Sequence, residues 1–292
     1  MPPDSIRALL VQAGQRLKEA GCDTPDLDAR LLFQAATRLS REDIILDPGR
    51  KIPEVEIRHF EAAIMRRMGR EPVSRILGER EFYGRRFRVT PATLDPRPDT
   101  ETLVEAALAL MPDGARLLDL GTGTGAIAVT LLAERPDATA VATDLSPEAL
   151  GVARENAERA SVAQRLRLIH GSWFAPVTEV FDIIVSNPPY IPSDVIAGLS
   201  PDVRNFDPVL ALAGGADGLD PYRAIAPRAA SHLAADGHVL VEIGAGQAEQ
   251  VEAIFGASGF SKAERHADLA GHVRCLAFRR PAGRPEKITI GK

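Results

Sequence analysis

Apolar residues recur at helical spacing through the first part of the chain. Ile6, Leu9, Leu10, Ala13 and Leu17 form one stripe; Leu27, Leu31, Ala35 and Leu39 a second; Ile57, Phe60, Ile64 and Met68 a third. Stripes at this period bury one face of a helix and leave the other wet, so residues 1–71 are predicted to form a small helical domain. Stop and start signals fall between the stripes. Gly21 and Gly69 sit where helices end, Thr24-Pro25 reads as an N-cap followed by proline in the first turn, Ser40 and Asp43 read as a capping box, and Pro53 opens the last helix.

Residues 72–98 have a different pattern. "EFYGRRFRV" alternates like a β-hairpin around Gly84, and "TPATLDPRPDTE" is rich in proline and turn formers, which predicts a linker carrying a hairpin. From residue 99 to about 280 strand-like and helical segments alternate: "ARLLDL", "GAIAVTLLAE", "ATAVATD", "SPEALGVARENAERA", "RLRLIHG", "FDIIVSN", "YRAIAPRAASHL", "GHVLVEIG", a helix from Gln247 to about Phe255, and a final strand "RCLAFRR". This grammar predicts an α/β domain with a doubly wound parallel sheet, the last strand being a candidate for antiparallel pairing. Residues 281–292 have little to pack and read as a flexible tail.

Three strand ends carry candidate chemistry, and in open α/β sheets ligands sit at such ends. After "LLDL" comes Gly121-Thr122-Gly123-Thr124-Gly125, where missing side chains permit tight turns and close backbone approach. With Ala126 it also satisfies the loose GxGxxG/A pattern, so alone it does not choose a cofactor. Asp144 ends the next strand, where a carboxylate can accept from both hydroxyls of a ribose. Together they point to a nucleoside cofactor, NAD or S-adenosylmethionine. In "VSNPPYIPSD" the strand stops at Asn187-Pro188-Pro189-Tyr190. Prolines cannot donate to a ladder and they restrict the preceding residue, which explains the stop. Hydride transfer has no use for this tetrapeptide. Methyl transfer to a planar nitrogen does: the Asn187 side-chain oxygen and the Pro188 carbonyl can hold an NH2 group, and the Tyr190 ring can pack on a flat substrate.

Composition narrows the class further. The chain has 292 residues, 45% hydrophobic and 26% charged, which fits a globular protein of one large or two ordinary domains. No stretch approaches the roughly 18 apolar residues of a membrane span and no signal peptide is apparent, so a cytoplasmic location is expected. Cys22 and Cys275 stand apart with no CxxC or His pair nearby, so neither a disulfide framework nor a metal site is expected. The six histidines have no motif spacing. A net charge of -5 argues against a general nucleic-acid binder, although residues 1–90 carry 17 Lys and Arg against 14 Asp and Glu.

"LDLGTGTGAIA", "ATD" and "VSNPPY" resemble the class I S-adenosylmethionine-dependent methyltransferases with an (N/D)PP(Y/F/W) motif, which methylate exocyclic or amide nitrogens. "EPVSRILGEREFYGRRFRV", "PRPDTETLVE", "DVRNFDPVLALAGGADGLDPYRAI" and "GHVLVEIG" narrow this to a resemblance to the protein-(glutamine-N5) methyltransferases of peptide-chain release factors, the PrmC/HemK family, from about residue 71 to 278. The resemblance implies a Rossmann-like class I methyltransferase fold with a small N-terminal substrate-binding domain. It implies S-adenosyl-L-methionine as cofactor, S-adenosyl-L-homocysteine as product, and the glutamine of the Gly-Gly-Gln motif of class 1 release factors as substrate. Gly121, Thr122, Gly123, Thr124, Gly125, Asp144, Trp173 and Asn187 would then hold the cofactor, with Trp173 at the adenine. Asn187, Pro188, Pro189 and Tyr190 would form the glutamine pocket, with Asn187, Pro188 and Tyr190 serving catalysis. Arg97, Pro98, Thr100 and Glu101 would border the cofactor.

Two residues depart from the family pattern. Asp95 replaces an aliphatic residue and needs an exposed position or a partner such as Arg97, and Ser172 replaces an acidic residue after the third strand. Alternatives are an N-methyltransferase acting on an exocyclic amine of a nucleic-acid base, a catalytically silent binding module on this fold, and an NAD-dependent enzyme. A base methyltransferase would call for a large target-recognition region or a strongly basic face, and the chain has neither. Direct nucleic-acid binding is therefore not expected, and a monomer is the default.

Overall fold

A computed structural model describes residues 2–280, so the tail at 281–292 lies outside the described residues. The chain divides into two compact units. Among the described residues, one is built from residues 2–80 together with Val89–Pro91 and Leu199–Asp207; the other from Glu81–Arg88, Ala92–Gly198 and residues 208–280.

In the first unit, helices Ile6–Glu19, Pro25–Thr37, Arg41–Leu46, Glu54–Met68 and Val73–Leu77 pack together. The second helix is turned from the stripe read in the sequence: Leu27, Leu31 and Ala35 are exposed, and Ala29, Leu32 and Phe33 are its buried apolar residues. Ile6, Leu17, Leu32, Phe33, Phe60 and Ile64 are fully buried, with Phe33 and Phe60 edge to face at 5.2 Å. Gly21 follows the first helix with φ +75°, and its N–H and that of Cys22 reach the carbonyls of Lys18 and Leu17, the paired bonds of a Schellman stop. The capping box of Ser40 and Asp43 is formed in both directions. Thr24 makes no capping bond. Its hydroxyl instead donates to Asp28 (2.8 Å), a buried carboxylate whose other oxygen receives Arg67 Nε at 2.7 Å. Arg67 Nη1 also reaches Asp202 (2.7 Å), which Arg70 shares, and Arg75 meets Asp207 at 2.8 Å. Buried charges at this cost must be paired, and these pairs fix segment Leu199–Asp207 within the helical unit.

The second unit holds a hairpin strand pair, β1 (Glu79–Phe82, entered from the first unit) and β2 (Arg85–Arg88), and a seven-stranded sheet. The sheet comprises β3 (Arg116–Leu120), β4 (Thr139–Asp144), β5 (Leu166–His170), β6 (Phe181–Ser186), β7 (Leu233–Glu242), β8 (Glu264–Ala267) and β9 (Val273–Arg279), in the order β5-β4-β3-β6-β7-β9-β8. The first five of that order are parallel, and β9 runs antiparallel to both β7 and β8. Because helices cover both faces, successive strand residues alternate between two apolar layers and the strands read as unbroken apolar runs. Leu117, Ile183, Val185 and Leu240 enter one layer; Leu118, Ile184, Val239 and Val241 enter the other. Each such side chain contributes roughly 1.5–3 kcal/mol on burial.

Strand β8 has no sequence counterpart in the reading above, because "ERHA" at a sheet edge needs no apolar alternation. β7 begins four residues before the predicted "GHVLVEIG", with a register shift opposite Phe181 and Ile183. Among the described residues, no helix is long and apolar enough to cross a membrane.

Candidate active site

Winding proceeds outward from β3 through β4 to β5, and the chain then returns to the other side of β3 with β6. The switch point therefore lies between β3 and β6, and the carboxyl ends of these strands open on one cavity of about 490 Å³. Ser186 is fully buried at this seam, and its hydroxyl donates to the Leu120 carbonyl (2.7 Å).

Gly121 and Gly123 have φ of +73° and +55°, the left-handed region that disfavours side chains. The Gly121 and Thr122 N–H groups donate to the Thr143 carbonyl, and the Gly123 N–H donates to Asp144 Oδ2 at 2.8 Å. Gly123 lines the cavity, and a Cβ there would meet no protein atom within 4 Å, so packing does not account for the glycine. Gly125 has a different role: a Cβ there would lie 3.1 Å from Ala153 Cβ and 3.3 Å from Val129 Cγ2, so glycine lets the helix Ala126–Glu134 approach the helix Pro147–Arg159. Asn156 then ties the loop to the hairpin, donating to the Thr124 and Arg88 carbonyls while accepting from the Arg88 N–H. Under the loop, Asp119 is completely buried and accepts from the Thr122 hydroxyl at 2.6 Å; burial pushes its carboxyl up to about 7 despite that bond.

Asp144 ends β4 with one oxygen on Gly123 and the other on the Ser146 N–H (2.9 Å). A carboxylate has about four acceptor sites, so two remain for donors in the cavity. Trp173 holds φ +47°, strained for a bulky residue, with its carbonyl accepting from the Thr143 hydroxyl and its ring 3.4 Å from where a Gly121 Cβ would stand. Apolar Ala126, Ile127, Leu145 and Ala149 complete this wall. A cavity with left-handed glycines, a carboxylate with spare acceptors and a flat apolar wall fits the methionine, ribose and adenine parts of S-adenosylmethionine.

At the end of β6, Asn187 and Pro189 line the cavity. The Asn187 Nδ2 donates to the Thr100 hydroxyl at 3.1 Å. Glycines 214 and 218 of the "AGGADGLD" loop pack directly on the motif's backbone: a Cβ on Gly214 would stand 2.7 Å from the Pro189 carbonyl oxygen, and one on Gly218 2.3 Å from that of Tyr190. Gln247 Nε2 donates to the same Tyr190 carbonyl (3.0 Å).

The structure thus gathers Gly121, Thr122, Gly123, Thr124, Asp144, Trp173, Asn187 and Pro189 around one cavity, joined by Arg97 and Thr100. Gly125, Pro188, Tyr190, Pro98 and Glu101 are not among its lining residues. Glu101 turns instead to the hairpin and accepts from the Tyr83 N–H (2.8 Å). The Tyr190 ring packs beside Gly244 and the apolar layer of Leu118 and Ile184, where burial raises its hydroxyl to about 12. Asp95 is buried, which removes the exposed position considered for it, and Ser172 is exposed. Sequence reasoning missed Ser146, Glu148, the Ala92–Leu94 stretch and the Pro208–Ala213 loop on the cavity wall, and also Asp119 and Glu242 behind it.

The doubly wound sheet with its cavity at the switch point is the fold of the class I methyltransferases. A methyltransferase from Pyrococcus furiosus shares it, with a TM-score of 0.52 at 19% identity over 75% of this chain and 97% of that one. Sequence comparison is more specific. A family model described as "PrmC N-terminal domain" matches residues 8–78, and one described as "Methyltransferase small domain" matches residues 97–196. A release factor glutamine methyltransferase of Cereibacter sphaeroides is 50% identical over 96% of this chain and 98% of its own length, and one of Rhodospirillum rubrum is 48% identical over 95% and 86%. The chain belongs to the release factor glutamine methyltransferase family.

Proposed function

We propose that the protein transfers a methyl group from S-adenosyl-L-methionine to the side-chain amide nitrogen of a glutamine in class 1 peptide-chain release factors, the glutamine of their Gly-Gly-Gln motif. It acts as a monomer in the cytoplasm and on protein, without binding nucleic acid directly. The observation that carries this reading is the orientation of Asn187: its NH2 end is committed to Thr100, which leaves its oxygen as the acceptor available to the cavity.

An amide nitrogen is a poor nucleophile because its lone pair is delocalised. Two acceptors on its N–H bonds, the Asn187 oxygen and the Pro188 carbonyl, hold the group in one plane and leave the lone pair facing the donor side. The prolines restrict the backbone that carries those acceptors, so little reorganisation is left for the reaction itself. The cofactor, when bound, supplies a methyl carried on a sulfonium leaving group. Gly121, Thr122, Gly123, Asp144 and Trp173 are the residues to hold it, and Pro189 and Thr100 line the same cavity. The nitrogen sheds its proton after attack, so no strong base is required in the cavity.

Purified protein with labelled S-adenosylmethionine should label a release factor and fail to label the same factor with its loop glutamine changed to alanine. Equal labelling of both, or labelling of nucleic acid in preference to either, would overturn the reading.

A further inference from the structure

A buried carboxylate with no part in the preceding account stands behind Asn187. Glu242 closes β7, and the parallel pairing of Ser186 with Val241 brings the next residues, Asn187 and Glu242, level with one another. Its side chain is 2% exposed, it is not among the residues lining the cavity, and its Oε2 has no hydrogen-bond partner. An ionised group held this way is costly, so its presence calls for a reason.

Its surroundings supply one. The Thr100 hydroxyl and the Asn187 amide are the donors that bear on the carboxylate. Asp99 of the Pro98–Thr100 turn adds negative charge, Tyr190 adjoins it, and β9 contributes Arg274 and Cys275, the latter paired with Glu242 across the ladder. Arg274 is already held by Asp99 (3.0 Å) and Asp268 (2.9 Å). Tyr222, from the helix Asp220–Ala229, donates to the main-chain carbonyl of Glu242 (2.8 Å) and leaves the carboxylate to the others.

The polarity of this group of side chains follows from what each atom can do. A carboxylate only accepts. Thr100 has one hydroxyl proton; given to Glu242, it leaves the Thr100 oxygen free to accept from the Asn187 NH2, the contact seen at 3.1 Å. The Asn187 oxygen is then the end left for the cavity. The two ends of an Asn amide have almost the same shape, so only a partner of fixed polarity prevents it turning over and offering NH2 to a substrate that itself offers NH2.

We propose that Glu242 is a positioning residue which, by taking the Thr100 hydroxyl proton and facing the NH2 end of Asn187, fixes the acceptor end of Asn187 toward the substrate nitrogen. This rests on the reading of Asn187 as the acceptor of the substrate amide. Protonated, Glu242 becomes a donor and the chain of bonds can reverse. Burial holds its carboxyl up to about 7, so turnover rises as pH climbs through that value and the carboxylate forms.

The test compares wild type with Glu242→Gln, Thr100→Val and Thr100→Ser, using a release factor and S-adenosylmethionine across the neutral pH range. Cofactor affinity is measured by calorimetry, and the Asn187 side-chain resonances are followed by NMR, assigned through Asn187→Ala. Glu242→Gln should fold, bind cofactor like wild type, lose roughly 10- to 100-fold in kcat as for a misplaced group, and lose the limb near pH 7. Thr100→Val should lose kcat similarly and Thr100→Ser should regain most of that loss. The Asn187 resonances should titrate near pH 7 in wild type and not in Glu242→Gln. An active wild type with an equally active Glu242→Gln of unchanged pH profile, or Asn187 resonances indifferent to pH in wild type, would overturn the proposal. Should Glu242→Gln fail to fold, Thr100→Val at wild-type kcat would do the same. A wild type that labels no release factor defeats the functional reading instead, while the NMR titration still reports on the coupling.

Discussion

Asn187 is held by the end of its side chain that the proposed reaction does not use. Replacing it with alanine removes the acceptor for the substrate and leaves Thr100 without its donor, while the glycine loop and Asp144 keep their own bonds. For Asn187→Ala we expect modestly weaker cofactor binding by calorimetry and turnover lower by ~100-fold or more, the usual cost of removing an oriented acceptor. Near-normal turnover would refute the role. Asn187 was legible in the sequence because two prolines after an apolar run are hard to explain as a strand ending alone. Glu242 was not: in "VEIG" it is one polar residue at the end of a buried strand, and only the register of β6 on β7 places it beside Asn187. Tyr190 shows the converse. The sequence places its ring next to the motif but does not say which way it points, and the bare backbone at Gly244 is what gives it a place outside the cavity lining.

At the scale of elements, the β3-to-helix turn separates two demands that the sequence shows as one run of glycines. At Gly123 the missing side chain leaves open space, whereas at Gly125 it relieves contact between two helices. Both have positive φ, so alanine costs about 1 kcal/mol of strain at either. Gly123→Ala should fold with a small loss in melting temperature and a clear loss of cofactor affinity, because it adds a methyl and strains the backbone at a residue of the cavity lining. Gly125→Ala should destabilise by a further ~1–3 kcal/mol through overpacking against Ala153 and Val129. Thermal melts with and without cofactor separate the two, and equal stability loss in both variants would contradict the assignment. Element type and order were readable because both faces of the sheet are covered and helices obey their own period. What escaped was governed by contacts distant in sequence: the edge strand β8, the early start of β7, and the bonding of Thr24 to Asp28, which Arg67 needs.

For the molecule as a whole, the buried carboxyls Asp119 and Glu242 set an unusual dependence of stability on pH. Both are held up to about 7, chiefly by burial. A group whose folded pKa lies above its unfolded value contributes stability that is fully present below the unfolded value and is lost as pH rises through the folded one. Their window therefore runs from about 4 to about 7. Asp202, Asp217 and Asp268 work in the opposite sense: arginine partners hold them below the usual carboxylate range, so their contribution exists above about 4 and fades only as pH falls further. The two sets occupy different windows, but burial holds His238 below its ordinary value, and that group adds stability as pH rises through the same range. The buried pair is therefore read from the difference between each variant and wild type. Asp119→Asn and Glu242→Gln remove the ionisation while keeping the shape. Each should gain melting temperature relative to wild type as pH rises from 5 to 8, and Glu242→Gln should do so while losing turnover. A side chain that costs stability at working pH and whose neutral copy is sturdier but slower has the signature of a position kept for function. A melting difference between variant and wild type that stays constant across this range would show that neither carboxyl titrates there.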